Sequence, residues 1–281
     1  MSHSNSAYCT LLTNDNYLIA ALVLAQSLKN TGTTIPLCVL ITVAVSEVSI
    51  KRLKYFYDEI HVVPSISGVS TANLELIGRP DLHTTLTKLN IWTLSQYERI
   101  LYLDADTLVL SNLDHLFLLL SHVTFAASPE LGFPDCFNSG VMLLKPNLTI
   151  FNDLTKLVEE IESFDGGDQG ILNLYFSDGT RGHPMQQLLT EKENIGCTIH
   201  SWYRLSFTYN MEMHKVYRMY IPAVRRYQHE HKVLHFIGKE KPWHFPNGEV
   251  DHVENASAYY LFYGEMVKRW WDVHRQVEGQ E

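Results

Sequence analysis

The sequence predicts an α/β protein formed as one domain, with a Rossmann-like, mostly parallel central sheet flanked by helices. Three observations predict it. Apolar strand-like runs alternate with helical ones through the first third of the chain, which is the pattern of βαβ units. The 281 residues, 46% hydrophobic and 19% charged, suffice to bury about three quarters of the unfolded surface. A short apolar run ends on the carboxylate pair Asp104 and Asp106, where an open α/β sheet collects its ligands.

In chain order, Ala7 to Thr13 reads as a strand and Asp15 to Asn30 as a helix, with Gly32 beyond its end as a stop signal. Pro36 to Thr42 is the next strand. Ser46 is a suitable N-cap for a helix through Tyr57, and Glu59 to Val63 is a strand closed by Pro64. Ser65 to Pro80 is polar and irregular, a loop ahead of a helix over Thr84 to Ser95 and the strand Arg99 to Leu103. Val123 to Ser128 and Gly140 to Leu144 read as strands, and Leu148 to Phe164 as a helix. Glu191 to Glu230 is rich in Tyr, His and Met without clean periodicity. The helix Ala258 to Val277 carries Tyr259, Phe262, Tyr263, Met266, Trp270 and Val273 near helical spacing, a stripe expected to pack on the domain.

The net charge of −9 argues against a nucleic-acid binder. The longest apolar candidate, Tyr17 to Leu28, is interrupted by Gln26 and Ser27 and is too short to span a bilayer, and no basic-then-apolar leader opens the chain. No membrane association and a cytoplasmic location are therefore expected. Cys9, Cys38, Cys136 and Cys197 show no CxxC pairing and are expected to be reduced.

The chemistry starts at Leu101-Tyr102-Leu103-Asp104-Ala105-Asp106-Thr107. On an extended segment residues i and i+2 share a side, so both carboxylates can point at one divalent cation such as Mg2+ or Mn2+. Without a cation they repel. Haloacid-dehalogenase-like phosphatases and metal-dependent glycosyltransferases of the GT-A type both use such a string. The phosphatases open their core domain with it, whereas here a nucleotide-binding half-domain's length of strand and helix comes first. A phosphatase also needs a second acidic pair, which Gly167-Asp168-Gln169-Gly170-Ile171-Leu172-Asn173 lacks.

Three further strings stand out: Pro134-Asp135-Cys136-Phe137-Asn138-Ser139-Gly140 ahead of a strand, Phe164-Asp165-Gly166-Gly167-Asp168-Gln169-Gly170 opening a helix, and His235-Phe236-Ile237-Gly238-Lys239-Glu240-Lys241-Pro242-Trp243 after a strand. Each alone also reads as a capped turn, a core histidine or loop packing. Together with the Asp pair, Thr10-Leu11-Leu12-Thr13-Asn14-Asp15-Asn16-Tyr17, Arg79-Pro80-Asp81-Leu82 and Leu86-Thr87-Lys88-Leu89, they resemble the glycogenin family of retaining GT-A glycosyltransferases. The resemblance runs over roughly residues 7 to 245, in family order.

That resemblance implies a GT-A catalytic domain over 1–245, with a nucleotide-binding half at about 7–110 and an acceptor-side half at about 111–245, and a helical extension over 246–281. It implies UDP-glucose as donor and Mn2+ as cofactor, with Mg2+ as the other candidate ion, held by Asp104, Asp106 and His235. The implied nucleotide-sugar site comprises Leu11, Thr13, Asn14, Tyr17, Arg79, Lys88, Asp104, Ala105, Asp106, Asn138, Asp165, Asp168, Gln169, His235, Gly238 and Lys241. Tyr17 offers a stacking face for uracil, Arg79 and Lys88 add positive charge, and Lys241 holds the leaving phosphate. Asp165 and Asp168 resemble the glucose-binding acids, with Asp168, Asp165 and Lys241 as the catalytic set and Asn138 and Gln169 orienting sugar hydroxyls. Retention follows either from a glycosyl adduct on Asp168 or from attack on the side the phosphate leaves.

The family's first acceptor is its own tyrosine, and later glucoses extend an α-1,4-glucan. The family reads Tyr-Ser-Tyr before Leu-Pro-Ala; this chain reads Tyr217-Arg218-Met219-Tyr220-Ile221-Pro222-Ala223, one residue longer. Alignment from Tyr209-Asn210 places the acceptor at Tyr217, and ungapped alignment from Pro222 places Arg218 there. The resemblance further implies a homodimer and recruitment of glycogen synthase through a tail not visible in this sequence. Two other readings are a galactinol-synthase-like transfer of hexose to a small polyol and a catalytically weak UDP-sugar-binding scaffold.

Overall fold

The computed structural model describes residues 5–68, 72–76, 78, 80–119, 123–132, 134–176, 202–213, 220–250 and 258–280. Its strands are β1 (Ser6–Leu12), β2 (Leu37–Ile41), β3 (Glu59–Val62), β4 (Arg99–Leu103), β5 (Thr107–Val109), β6 (Phe125–Pro129), β7 (Phe137–Leu144), β8 (Tyr203–Arg204), β9 (Met211–Glu212) and β10 (Val233–His235). Seven form a sheet in the order β3-β2-β1-β4-β7-β6-β8. Its first four strands are mutually parallel, β7 is antiparallel to both β4 and β6, and β8 is parallel to β6. This is the mostly parallel sheet flanked by helices that the alternation predicted. A second, three-stranded sheet, β5-β10-β9, stands at its end.

The helices are α1 (Leu18–Asn30), α2 (Glu47–Phe56), α3 (Ala72–Leu76), α4 (Leu148–Glu160), α5 (Asp168–Phe176), α6 (Ile221–Tyr227) and α7 (Ala258–Glu278). Ser46 caps α2 as expected, its hydroxyl accepting from the Ser49 N–H. Every residue of α1 from Ala20 to Leu28 is buried. Such a helix must be covered on both sides, and α7 supplies the second cover. Asn30 donates to Gln276 at 2.9 Å and Gln280 to Gln26 at 3.0 Å across that seam. Phe262, Tyr263, Met266 and Trp270 of α7 are buried there and Val273 is half-buried, so the aromatic stripe packs on the domain. On the opposite face of the sheet Phe125 stacks on Phe176 at 3.9 Å, with Trp92 beside them. No described helix is long and apolar enough to cross a membrane.

Several boundaries differ from the sequence expectation. The expected helix from Asp15 begins as a 3₁₀ turn, Asp15–Tyr17, capped by Asn14. The irregular stretch before Pro80 contains the short α3. Pro80–Thr93, expected as an α-helix from Thr84, is a 3₁₀ helix. Within it Thr85, Asn90 and Thr93 each bond the carbonyl three residues back with their side chains, a competition that favours the tighter winding. α4 stops at Glu160 rather than Phe164, where Glu159, Glu160 and Glu162 oppose the helix dipole. β7 starts at Phe137 rather than Gly140, so Asn138 and Ser139 lie within the strand and not before it. The Asn173 amide makes both backbone hydrogen bonds of Phe137, and a register shift at Ala127/Ser128 lets β6 follow. Cys9, Cys38 and Cys136 are free thiols, and Cys197 lies outside the described residues.

His231, just before β10, is buried with its ring against Phe207. Burial, with the charge of Arg269, pushes its pKa down to about 4 from 6.5. Between those two values the unfolded chain binds a proton that the folded one refuses, so stability falls as pH drops from about 6.5 to about 4. The expected result is that His231→Phe narrows the loss of thermal midpoint between pH 7.5 and pH 5, measured by circular dichroism.

Candidate active site

A cleft of about 380 Å3 opens at the carboxyl ends of β1 and β4. From β1 the chain turns one way into β2, while β4 lies on its other side, so the cleft sits where the strand order reverses. Thr13, Asn14 and Tyr17 reach it from the turn after β1, and Thr84, Thr85 and Lys88 from the 3₁₀ helix. Asp104, Ala105 and Asp106 follow β4, and Glu130, Asn138 and Ser139 come from the β6–β7 hairpin. Asp165, Asp168 and Gln169 surround the start of α5, and His235, Gly238 and Lys241 come from β10 and beyond, with Leu11 at the floor.

The Asp pair does not lie on the strand. β4 ends at Leu103 and residues 104–106 form a turn, closed by the backbone and hydroxyl of Thr107 donating to the Asp104 carbonyl at 3.0 and 2.8 Å. The same-side rule for strands therefore does not apply; the turn itself gathers the two carboxylates. Their third partner arrives through the small sheet. β5 pairs antiparallel with β10, His235 opposite Thr107, and the Phe236 N–H donates to the Asp106 carbonyl at 3.0 Å. Donor atoms of Asp104, Asp106 and His235 consequently lie within 4.8 Å of one another. Two carboxylates and an imidazole suit a divalent cation such as Mn2+ or Mg2+. Two half-buried carboxylates and a buried imidazole held so close together fit a bound positive charge.

Two lysines neutralise the cluster. Lys88 Nζ lies 3.0 Å from Asp104 and 2.7 Å from Asp168, and also donates to the Ser139 carbonyl. Burial opposes its charge, but the two carboxylates outweigh burial and hold its pKa above the ordinary lysine value. Lys241 Nζ donates to Asp106 at 2.5 Å and to the Phe236 carbonyl at 2.7 Å. Burial alone raises the Asp106 pKa, and Lys241 with His235 reverses this and holds the carboxyl well below its usual range. Tyr102 donates its hydroxyl to Asp104 at 2.9 Å.

Asp165 is chiefly a capping residue in this geometry. Its Oδ1 accepts from the Ser163 hydroxyl and from the N–H groups of Gly167 and Gly170 at the start of α5. Burial raises its pKa, and the neighbouring Asp168 adds to that effect against the bond from Ser163. Gln169 donates to Glu130 at 2.9 Å and accepts from the Ser139 N–H. Gly238 takes φ +100°, a conformation that admits the backbone close to the cleft. Tyr17 packs edge-on to Trp243 at 5.3 Å, below the Lys241 ammonium. α7 fixes this segment: Trp271 donates to the Pro242 carbonyl and Tyr263 to that of Glu240.

Every site residue expected from the sequence lines this cleft except Arg79 and Tyr217, which lie outside the described residues. Tyr220 is described and is 52% exposed. Sequence reasoning missed Glu130, Thr84, Thr85, Tyr102, Ser139 and the buried Asn210, whose Oδ1 lies 3.0 Å from His235 Nδ1. Ser139 and Tyr102 stood inside strings already singled out. Glu130 carried no local signal.

Residues 8–246 match the model of glycosyl transferase family 8, and the chain belongs to that family, a class of retaining glycosyltransferases. A galactosyltransferase, LgtC, solved with donor and acceptor sugar analogs, superposes with a TM-score of 0.57 at 18% identity, covering 96% of this chain and 95% of that one. That likeness supports the GT-A fold. Glycogenin-1 of Mus musculus is 38% identical over 271 residues, 96% of this chain and 75% of its own length. The glycogenin of Neurospora crassa is also 38% identical, over 98% of this chain but 35% of its own length. Within the family, this protein is a glycogenin-type glucosyltransferase.

Gly140 is the tightest point of the site. A Cβ there would stand 2.3 Å from His235 Cε1 and 2.9 Å from Asn138 Oδ1. Gly140→Ala is expected to displace the imidazole and weaken Mn2+ binding about tenfold or more, with the far-ultraviolet circular dichroism unchanged; titration calorimetry with Mn2+ and UDP measures it.

Proposed function

We propose that this chain transfers glucose from UDP-glucose, with retention of configuration, to its own tyrosine and then to the growing α-1,4-glucan that primes glycogen. One contact carries the reading. Lys88 joins Asp104, on the metal side of the cleft, to Asp168, on the side of α5, so that the groups for a diphosphate and for a sugar stand one lysine apart. The glycogenin relatives support glucose as the sugar.

In this reading Asp104, Asp106 and His235 hold Mn2+, which supplies Lewis acidity to the donor's diphosphate. Lys241 brings its ammonium to the departing phosphate from its seat beside Asp106, an electrostatic clamp on the leaving group. Tyr17 and the polar groups of Thr13 and Asn14 receive the uridine, and the Lys88 charge meets the donor with Arg79. Asn138 and Gln169 orient sugar hydroxyls, and Asp168 faces the anomeric centre, as nucleophile or as the charge that stabilises an oxocarbenium-like centre. The acceptor is Tyr217. A tyrosine hydroxyl with its ordinary pKa near 10 is a weak nucleophile at neutral pH, so its attack depends on the positive centre created as the phosphate leaves.

The catalytic unit in this reading is 1–245, divided near 110, with 246–281 as an extension that braces Lys241 through α7. The protein acts as a homodimer in the cytoplasm, a setting compatible with the free thiols of Cys9, Cys38 and Cys136. Glycogen synthase is the partner expected of a primer.

Incubation with UDP-glucose and Mn2+ is expected to give a ladder of added hexose masses by intact-mass spectrometry, which Tyr217→Phe abolishes. Hexose mapped to Tyr220 alone would move the acceptor, and an unmodified protein that glycosylates a small polyol would replace self-priming. Asp168→Asn is expected to keep UDP and Mn2+ binding within a few-fold by calorimetry while transfer slows roughly a hundredfold or more.

A further inference from the structure

The buried amides beside the cation site form a directed chain. The Gly140 N–H donates to Asn138 Oδ1 at 2.9 Å, and Asn138 Nδ2 donates to Glu130 Oε2 at 3.0 Å. A backbone N–H can only donate and an ionised carboxylate can only accept, so the Asn138 amide has its orientation fixed from both ends. Its Oδ1 also receives Asn210 Nδ2 at 2.8 Å. Asn210 has thereby committed its NH2, and its oxygen is the atom that faces His235 Nδ1 at 3.0 Å. That nitrogen must then carry the imidazole proton in the neutral ring. The lone pair is left on Nε2, the atom 3.4 Å from Asp106 Oδ1 and 3.9 Å from Asp104 Oδ2.

We propose that Glu130, Asn138 and Asn210 act as a positioning relay that holds neutral His235 in its Nδ1–H tautomer, presenting the Nε2 lone pair to the divalent cation between Asp104 and Asp106. The relay rests on the reading of His235 as a metal ligand and adds the residues that make it one. Asn210, Asn138 and His235 are 0%, 2% and 3% exposed, so water does not substitute for a missing link. Turning the imidazole to offer Nδ1 instead would break its contact with the Asn210 oxygen. A neutral amide also suits this place. It fixes the tautomer from the Nδ1 side without adding a further negative charge to those of Asp104 and Asp106 on the Nε2 side.

Long-range 15N–1H NMR of the histidine-labelled, metal-free protein at pH 8 reads the tautomer directly, with the His235 signal identified by its loss in His235→Gln. Manganese affinity is read separately, from the EPR signal of free Mn2+ in the presence of UDP. The expected results are an Nδ1–H imidazole in the wild type, an Nε2–H or mixed ring in Asn210→Leu, and Mn2+ binding at least tenfold weaker in that variant. An Nε2–H ring in the wild type overturns the relay, and this arm stands even where Asn210→Leu does not fold. Normal Mn2+ affinity in folded Asn210→Leu, with weakened affinity in His235→Gln, overturns it as well. Unchanged affinity in His235→Gln would instead remove His235 from the metal site, a failure of the parent reading and distinguishable from the other two.

Discussion

Five carboxylates, Asp104, Asp106, Glu130, Asp165 and Asp168, converge on one small cleft, and the rest of the site is organised around their mutual repulsion. Left alone, such a cluster would take up protons or push the walls apart. Lys88 bridges Asp104 to Asp168 and Lys241 covers Asp106, while Asp165 spends its charge on the N–H groups at the start of α5. The protein carries a net charge of −9, so cations are scarce overall and these two are buried where they are needed. That arrangement also prepares the chemistry. A site that holds two lysines and several carboxylates in balance can exchange partners when an anionic diphosphate and a cation enter together.

The scaffold meets this demand through two features away from the main sheet. The β5–β10 pair brings His235 to the Asp104–Asp106 turn across nearly half the chain, and Asn210, just before the parallel strand β9, comes in behind it. α7 covers α1 on one side and pins the backbone on either side of Lys241 with Tyr263 and Trp271. The aromatic stripe near the end of the chain thus has a functional consequence. It makes the lysine's position depend on a helix that holds the carbonyls of Glu240 and Pro242.

Much of this was legible in one dimension because the signals were local. Alternating apolar runs gave the first three strands and two helices, Ser46 marked a helix start, and the Asp104–Asp106 and Asp165–Asp168 strings marked both poles of the cleft. Where the reading failed, a tertiary contact overrode a local preference. Asn138 and Ser139 looked like a loop ahead of a strand because they are polar and small. They are strand residues because Asn173 and the β6 pairing satisfy the backbone around them. Thr84 to Thr93 had helical composition, and side-chain bonds to its own carbonyls wound it tighter.

By itself the sequence determined the parallel half-domain, the order of the motifs and the Asp104–Asp106 pair, since each of these depends on residue type and spacing along the chain, while the family resemblance supplied His235 as the third metal-ligand candidate. Only the tertiary structure decided that the Asp pair sits on a turn, that Lys88 spans Asp104 and Asp168, and that Glu130 and Asn210 lie beside the cleft at all. Apart from the turn, those facts join residues from 8 to 80 positions apart, and a lone glutamate or asparagine has no periodicity to announce its partner. Its role exists only once the small sheet and the β6–β7 hairpin bring a carboxylate, two amides and an imidazole into hydrogen-bonding distance.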